Sequence, residues 1–247
     1  MFTTLMTLVA IIAPVPALIS SIKQRVTPFR AVLQGLITGA VAALMVMVIG
    51  DMAGSNVFDE MFQAINVTID AMANDPNMKA MLGEGLSTED VTQTLAEIYS
   101  QAIQLLPGTI FVITTVASYI EYIILSKIYK PGGIKAIPMT QLKEFDLPRN
   151  IAFVWLALYV LSMLITSTGM IDNNMIFLNI NYIFDFAFCI QGFSLILMFA
   201  YTKRIPKALA VIAIIVIYCT NLGQTVLMLA GFTDIVFGLK QRMRRVA

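Results

Sequence analysis

The chain has 247 residues, of which 58% are hydrophobic and only 13% are charged, with a formal net charge of +1. Soluble domains are usually about 45–50% apolar and about 25% charged, so this composition excludes an ordinary soluble domain. No basic stretch is interleaved with aromatic residues, which argues against nucleic-acid binding. Histidine is absent, and this excludes imidazole catalysis, serine–histidine triads and histidine-ligated metals. Cys189 and Cys219 lie in apolar runs and are interpreted as buried free thiols.

Six apolar segments are long enough to cross a bilayer, which requires about 20 helical residues. The sequence therefore predicts an all-α, polytopic transmembrane helical bundle that forms a single integral membrane domain over residues 1–247. The first segment lacks the basic residues that open a secretory signal, so it is interpreted as a retained span. The predicted spans are residues 3–21, 30–50, 106–128, 150–170, 175–201 and 206–230.

Basic residues are concentrated in alternate connections between these spans, and the other connections lack them almost completely. They occur in residues 22–30, 127–149 and 202–207, whereas residues 51–105 hold nine acidic residues and one lysine. Lysine and arginine in short loops favour the cytoplasmic side of a membrane. We therefore predict a multi-pass protein of the cell membrane with cytoplasmic basic loops, an extracytoplasmic 51–105 segment and Met1 outside.

The basic tail, residues 239–247, does not fit six simple spans, which would leave it outside. Residues 206–239 would form a single helix about 51 Å long, more than one crossing requires. A broken or re-entrant segment around Asn221–Gly223 would return the tail to the cytoplasmic side, and we favour this alternative. The tail is interpreted as a lipid-facing anchor or, alternatively, as a docking surface for an acidic partner.

Residues 51–105 are predicted to form an extracytoplasmic helical hairpin. Ser87 or Thr88 is a candidate N-cap of its second helix. The hairpin is either a surface element packed on the bundle or a lid or partner-docking arm, and the sequence does not separate the two. Apolar residues recur at helical spacing in its first half: Phe58, Met61, Phe62, Ile65, Ile69 and Met72.

Three predicted spans carry polar residues at helical spacing, and these are the candidate ligand-binding residues. If the three stripes converge, they form a polar cavity for a cationic or hydrogen-bonding solute. The alternative is that they join helices through interhelical hydrogen bonds, at about 0.6 kcal/mol each. The candidates are Thr114, Ser118 and Glu121, then Asn181 and Asp185, and finally Asn221 and Gln224.

The second span contains a ridge of small residues, Gly35, Gly39 and Ala43. Small residues at four-residue spacing let helix backbones approach closely. The ridge is therefore a candidate helix-packing face, or an interface with a partner membrane protein.

Four short motifs carry a resemblance to a known family. They are LPG at 106–108, FDLPR at 145–149, IQG at 190–192 and GFTDIVFGLKQRMRR at 231–245. In order and spacing the chain resembles the YybS-like family of predicted bacterial membrane proteins. That family is remotely similar to the S components of energy-coupling-factor transporters, which implies a small helical bundle that binds a solute and works with a coupling protein and ATPases. Family members carry further N-terminal hydrophobic segments, and Glu121 stands where the family pattern has a neutral amide.

These observations favour a solute-binding or transport component without catalytic activity. The alternative is a membrane scaffold or assembly subunit that binds other membrane proteins. An enzyme is disfavoured because no catalytic motif is present, and no cofactor or metal site is expected. The predicted partners are the lipid bilayer, other membrane protein subunits and a small-molecule solute.

Overall fold

The computed structural model describes residues 2–54, 57–74, 87–129, 136–167 and 175–244, without the side chains of residues 2, 3, 57–59, 73, 166 and 221. Within these ranges every regular element is helical, which confirms the all-α prediction. The domain predicted over residues 1–247 comprises two compact units, Met1–Pro138 and Met139–Ala247. Each unit is described by itself.

The first unit is built around three long apolar helices. A break at Ala13 divides the first predicted span, because Pro14 opens a new helix at a position where its missing N–H is not needed. The helices of this unit are α1 (Phe2–Ile12), α2 (Pro14–Lys23), α3 (Pro28–Met52), α4 (Val57–Ala73), α5 (Thr88–Gln104) and α6 (Leu106–Tyr129).

Helices α4 and α5 form the predicted hairpin. Ser87 caps α5 through a capping box in which the Asp90 N–H donates to Ser87 Oγ at 3.1 Å. Ser87 Oγ and the Ser87 backbone N–H both donate to the Asp90 carboxylate, and these bonds lower the pKa of Asp90. The hairpin has a small core of Ile69, Val91 and Leu95.

The hairpin is joined to the rest of the first unit through Met61. This residue packs against the cluster of Met6, Ala10, Ala43 and Ile110. The geometry supports the interpretation of a surface element packed on the bundle.

The second unit is organised around its longest helix, which lies at the centre of most of its packing. A 3₁₀ turn at Leu142–Glu144 precedes the helices and packs along that helix. The helices of this unit are α7 (Asn150–Ser167), α8 (Met175–Thr202), α9 (Lys207–Tyr218), α10 (Asn221–Phe237) and α11 (Leu239–Arg244).

Six membrane spans are not confirmed. By length and composition, four helices of the described residues can cross a membrane, and a bent pair raises the number to five. The fourth predicted span corresponds to α7, of which the described residues Asn150–Ile165 form a shorter apolar helix. The four helices are Thr4–Lys23, Pro28–Met52, Leu106–Tyr129 and Met175–Thr202.

The last predicted span is broken, in agreement with the alternative favoured from its length. Helices α9 and α10 are bent by 116°. Thr220 has an extended backbone at the break and caps α10, because its Oγ1 accepts from the Gly223 N–H at 3.1 Å. Cys219 ends α9 there and is exposed, whereas Cys189 is buried as predicted; both cysteines are free.

Candidate functional site

The stripe predicted on the third span lies in the first unit, on α6. Thr114 is buried and its Oγ1 donates to the Ile110 carbonyl at 2.7 Å, within its own helix. Ser118 Oγ and Glu121 Oε2 are buried atoms without a hydrogen-bond partner among the described residues. A buried polar atom without a hydrogen-bond partner costs free energy, so Ser118 and Glu121 are the candidate ligand contacts of the first unit.

The ridge of Gly35, Gly39 and Ala43 is buried inside the first unit. A Cβ added at Gly35 would lie 2.6 Å from Ser118 Oγ, and one at Gly39 would lie 2.8 Å from the Ala10 carbonyl oxygen. The ridge thus serves close packing of α3 against α1 and α6.

The other predicted residues lie in the second unit, where the structure does not join them by hydrogen bonds. The side chains of Asn181 and Asp185 are half-buried on α8, and neither makes a hydrogen bond or ion pair with the residues that the structure describes. Gln224 is exposed on α10, and its backbone carbonyl lies 3.8 Å from Cys189 Sγ. The side chain of Asn221 lies outside the described part of the chain.

A different polar network lies at the centre of the second unit, around Lys240 of α11. Lys240 is only 1% exposed. Its Nζ donates to the Phe145 carbonyl, and to Ser194 Oγ at 2.9 Å. It lies 3.7 Å from Asp234 Oδ2 and 3.9 Å from Asp146 Oδ1. A buried ammonium requires such partners, because removing it from water is expensive.

Gln191 of α8 links the two carboxylates of this network. Its Nε2 donates to Asp234 Oδ2 at 2.6 Å and to Asp146 Oδ1 at 3.2 Å, while its Oε1 accepts from the Leu147 N–H at 3.1 Å. The Lys240 backbone N–H donates to Asp234 Oδ1 at 2.7 Å. Gln191 therefore fixes the 145–147 segment against α8 and α10. We call Asp146, Gln191, Ser194, Asp234 and Lys240 the lysine network.

The backbone at Gly238 makes this network possible. Gly238 has φ +64°, the left-handed region that glycine adopts without a steric penalty, and its N–H donates to the Asp234 carbonyl at 2.7 Å. This turn ends α10 and directs α11 back, so that Lys240 reaches Ser194. Aromatic packing supports the site, since Trp155 contacts the rings of Phe188 and Phe232.

A polar cavity of about 260 Å³ adjoins the lysine network. Asp146 is 36% exposed, so its carboxylate belongs both to the network and to the solvent-facing side of the cavity. Arg149 and Gln241 add a guanidinium and an amide. The lining residues are Asp146, Leu147, Pro148, Arg149, Asp234, Ile235, Gly238 and Gln241. We call this space the Arg149 cavity.

Burial lowers the pKa of Lys240 from its ordinary value of 10.5, against the opposing influence of Asp146 and Asp234, which raise it. The desolvation of the ammonium thus outweighs the attraction of the two carboxylates. Between the lowered pKa and 10.5 the unfolded chain binds more protons than the folded chain. The free energy of unfolding therefore rises with pH through this window.

We expect this rise to disappear in Lys240→Met. The free energy of unfolding of wild type and of Lys240→Met is measured in the same detergent from about pH 8 to about pH 10.5. The difference between the two curves isolates Lys240, because the other lysines and the tyrosines titrate equally in both proteins. Parallel stability curves for wild type and Lys240→Met would contradict the assignment.

The residues of the lysine network are not among the candidate site residues predicted from the sequence. A sequence signal for them was present, because three of the four family motifs contain four of the five residues: Asp146 in FDLPR, Gln191 in IQG, and Asp234 with Lys240 in the last motif. The interpretation of the tail as a lipid-facing anchor is wrong for Lys240, which is buried and paired. A basic cluster at a helix end looks the same in sequence whether it faces lipid or an acidic partner in its own chain.

Most of the chain matches a known protein family. The family described as "Predicted membrane protein (DUF2232)" matches residues 1–235. The chain belongs to the DUF2232 family. The predicted YybS-like resemblance is thereby confirmed.

One relative of this DUF2232 protein is "Uncharacterized protein YybS" of Bacillus subtilis (strain 168). The two are 22% identical over 222 residues, which cover 90% of this chain and 71% of the relative. No solved structure matches the chain, so the similarity to S components stays a prediction.

Proposed function

We propose that this DUF2232 protein is a solute-binding component of a membrane transport system, without catalytic activity of its own. The observation that carries the proposal is the Arg149 cavity, a concave space with polar walls in the second unit. Two acidic groups, one basic group and one amide share its walls. A few convergent polar groups in a concave space are typical of small-molecule sites.

The chemistry of the cavity indicates the class of solute. The Arg149 guanidinium suits a carboxylate or another planar anion, which it can bind through two hydrogen bonds. Asp146 offers an acceptor for an ammonium or hydroxyl group. At about 260 Å³ the cavity is small, so the solute is a small polar molecule with both kinds of group.

Asp185 is the second candidate contact. A carboxylate in the middle of a membrane helix is costly and usually faces the bundle interior or a water-filled cavity. Its position ten residues into α8 and its lack of a partner among the described residues support a role in the path of the solute.

Energy for transport would come from another protein. By analogy with S components, to which the family is remotely similar, uphill transport would depend on a separate energising protein; the 247 residues contain no GxxxxGK[ST] phosphate-binding loop. In this arrangement the basic connections lie on the cytoplasmic side of the cell membrane.

Native mass spectrometry of the protein, extracted in a mild detergent from its own host, tests the proposal. We expect wild type to retain a small molecule, and Arg149→Gln to lose it while remaining folded. Arg30→Gln removes an exposed arginine in the first unit and is the matched control. Asp185→Asn tests separately whether Asp185 of α8 contacts the solute.

Two results would overturn the solute-binding proposal. One is wild-type protein without any retained small molecule. The other is a retained molecule that Arg149→Gln and Asp185→Asn keep as firmly as the control does.

A membrane scaffold is the second candidate function, and the α4–α5 hairpin favours it. The hairpin has its own core and presents exposed carboxylates that suit a basic partner. Reversing these charges would release a bound protein subunit under the scaffold hypothesis and leave a bound solute in place. The exposed acidic residues outside the Ser87–Asp90 capping box are Asp70, Glu89 and Glu97.

A further inference from the structure

A second concave site lies in the second unit, where α8 ends and α9 begins. It is a groove of about 230 Å³ closed on one side by the 3₁₀ turn at Leu142–Glu144. It shares no lining residue with the Arg149 cavity. The residues that line it are Gln141, Leu142, Lys143, Leu197, Ala200, Tyr201, Ile205, Lys207 and Ala210. We call it the Lys143 groove.

The floor of the Lys143 groove is apolar and is formed by buried, packed side chains. Leu197 and Ala200 of α8 and Ala210 of α9 are buried and belong to one cluster with Ile214, against which Ile205 packs. Such a floor offers hydrocarbon-like surface at the ends of two apolar helices.

The mouth of the groove is basic. Lys143 Nζ lies 3.5 Å from the centroid of the Tyr201 ring, and this cation–π contact holds the ammonium beside the groove. Lys207 is exposed at the first position of α9. Lys203 and Arg204 add two exposed cations in the turn between the helices.

The lining residues of the groove include no acidic group within the described part of the chain. Glu144 follows Lys143 in the 3₁₀ turn but does not line the groove, and its carbonyl accepts from Arg244 Nη2 at 3.2 Å. The field at the mouth is therefore positive, and it would attract a phosphate.

We propose that the Lys143 groove binds an anionic phospholipid, with the headgroup phosphate between Lys143 and Lys207 and the first part of an acyl chain on the Leu197 floor. Basic pockets between helices at a membrane surface suit anionic headgroups, and each lysine near the surface contributes roughly a fivefold gain in lipid affinity. The site is independent of the proposed solute site. Tyr201, 59% exposed, is the residue before the last of α8, and an aromatic ring at the end of a membrane helix suits contact with headgroups.

The test uses the full chain in detergent micelles that contain equal amounts of phosphatidylglycerol and phosphatidylcholine. Native mass spectrometry counts the lipids that each protein retains. We expect wild type to retain phosphatidylglycerol preferentially, and Lys143→Gln with Lys207→Gln to bind it roughly 30-fold more weakly. The control, Lys23→Gln with Lys127→Gln, removes two exposed lysines of the first unit and should bind like wild type.

The outcomes distinguish specific binding of an anionic phospholipid from non-specific lipid retention and from binding of free phosphate. Equal retention of the two lipids by wild type, or an equal loss in the control, would overturn the proposal. Millimolar inorganic phosphate that displaces the lipid, and that raises the unfolding temperature as much as the lipid does, would assign the site to a free phosphate and overturn it too. Because the four substituted lysines are at the surface, unchanged unfolding temperatures verify that the variants are folded.

Discussion

Replacing Asp234 by alanine is expected to destabilise the second unit by about 3–5 kcal/mol, the usual cost of removing one partner from a buried ion pair. Asp234 is 3% exposed, and it accepts hydrogen bonds from Gln191 Nε2 and from the Lys240 backbone N–H. Its loss would leave the Lys240 ammonium buried with only the partly exposed Asp146 as an anion. The two donors would also lose their acceptor.

The intrinsic fluorescence of Trp155 measures this effect, because Trp155 is the single tryptophan of the chain and packs on the aromatic side of the site. We expect the unfolding midpoint to fall sharply in Asp234→Ala. The double variant Asp234→Leu with Lys240→Met should recover most of the stability, since well-packed apolar residues often replace a buried ion pair without loss.

The control for this pair is Glu144→Gln, an exposed acidic residue near the same network. It should unfold like wild type. If Asp234→Ala is as stable as Glu144→Gln, the lysine network makes no contribution to the stability of the folded protein.

Replacing Gly231 by alanine is expected to destabilise the protein by about 2–3 kcal/mol, although alanine ordinarily stabilises a helix interior by about 0.5–1 kcal/mol relative to glycine. The new Cβ would collide with the Phe188 carbonyl oxygen and lie 2.8 Å from the Gly192 backbone N. Both of these atoms belong to the backbone, so the steric clash is relieved only if α8 and α10 move apart.

Thermal unfolding by circular dichroism, with Trp155 fluorescence alongside, checks the sign of this effect. Val226→Ala is the control, because Val226 lies on the same helix and is 60% exposed. A Gly231→Ala protein as stable as wild type would show that the α8–α10 contact is looser than the structure indicates.

Much of the architecture follows from local sequence. Apolar runs of about 20 residues predict membrane helices, because a helix of that length matches the hydrocarbon core. Four such runs correspond to helices of sufficient length. The Ser87 cap was also predictable, since a hydroxyl before the Glu89–Asp90 pair is a local signal that needs no tertiary contact.

The lysine network was beyond this kind of reasoning. Lys240 and Phe145, whose carbonyl accepts from Lys240 Nζ, are 95 positions apart in the chain. No periodicity pairs residues at that distance, and a lysine in a basic tail is ordinarily exposed. Residues chosen for their helical spacing, such as Asn181 and Asp185, share a face of one helix, but the structure does not bring the separate stripes to one site. Spacing predicts which residues point the same way on a helix, and it does not predict which neighbouring helix they meet.

The turn at Gly238 has a consequence for biosynthesis. A ribosome makes the chain from its N-terminus, so Asp146 and Asp234 are synthesised before Lys240, the cation that pairs with them. Until Gly238 turns the chain back, the Asp234 carboxylate has no cation from α11 and favours contact with water over burial in the bilayer. The second unit therefore reaches its final arrangement only after α11 has been synthesised, and the maturation of this part of the protein follows the insertion of α8.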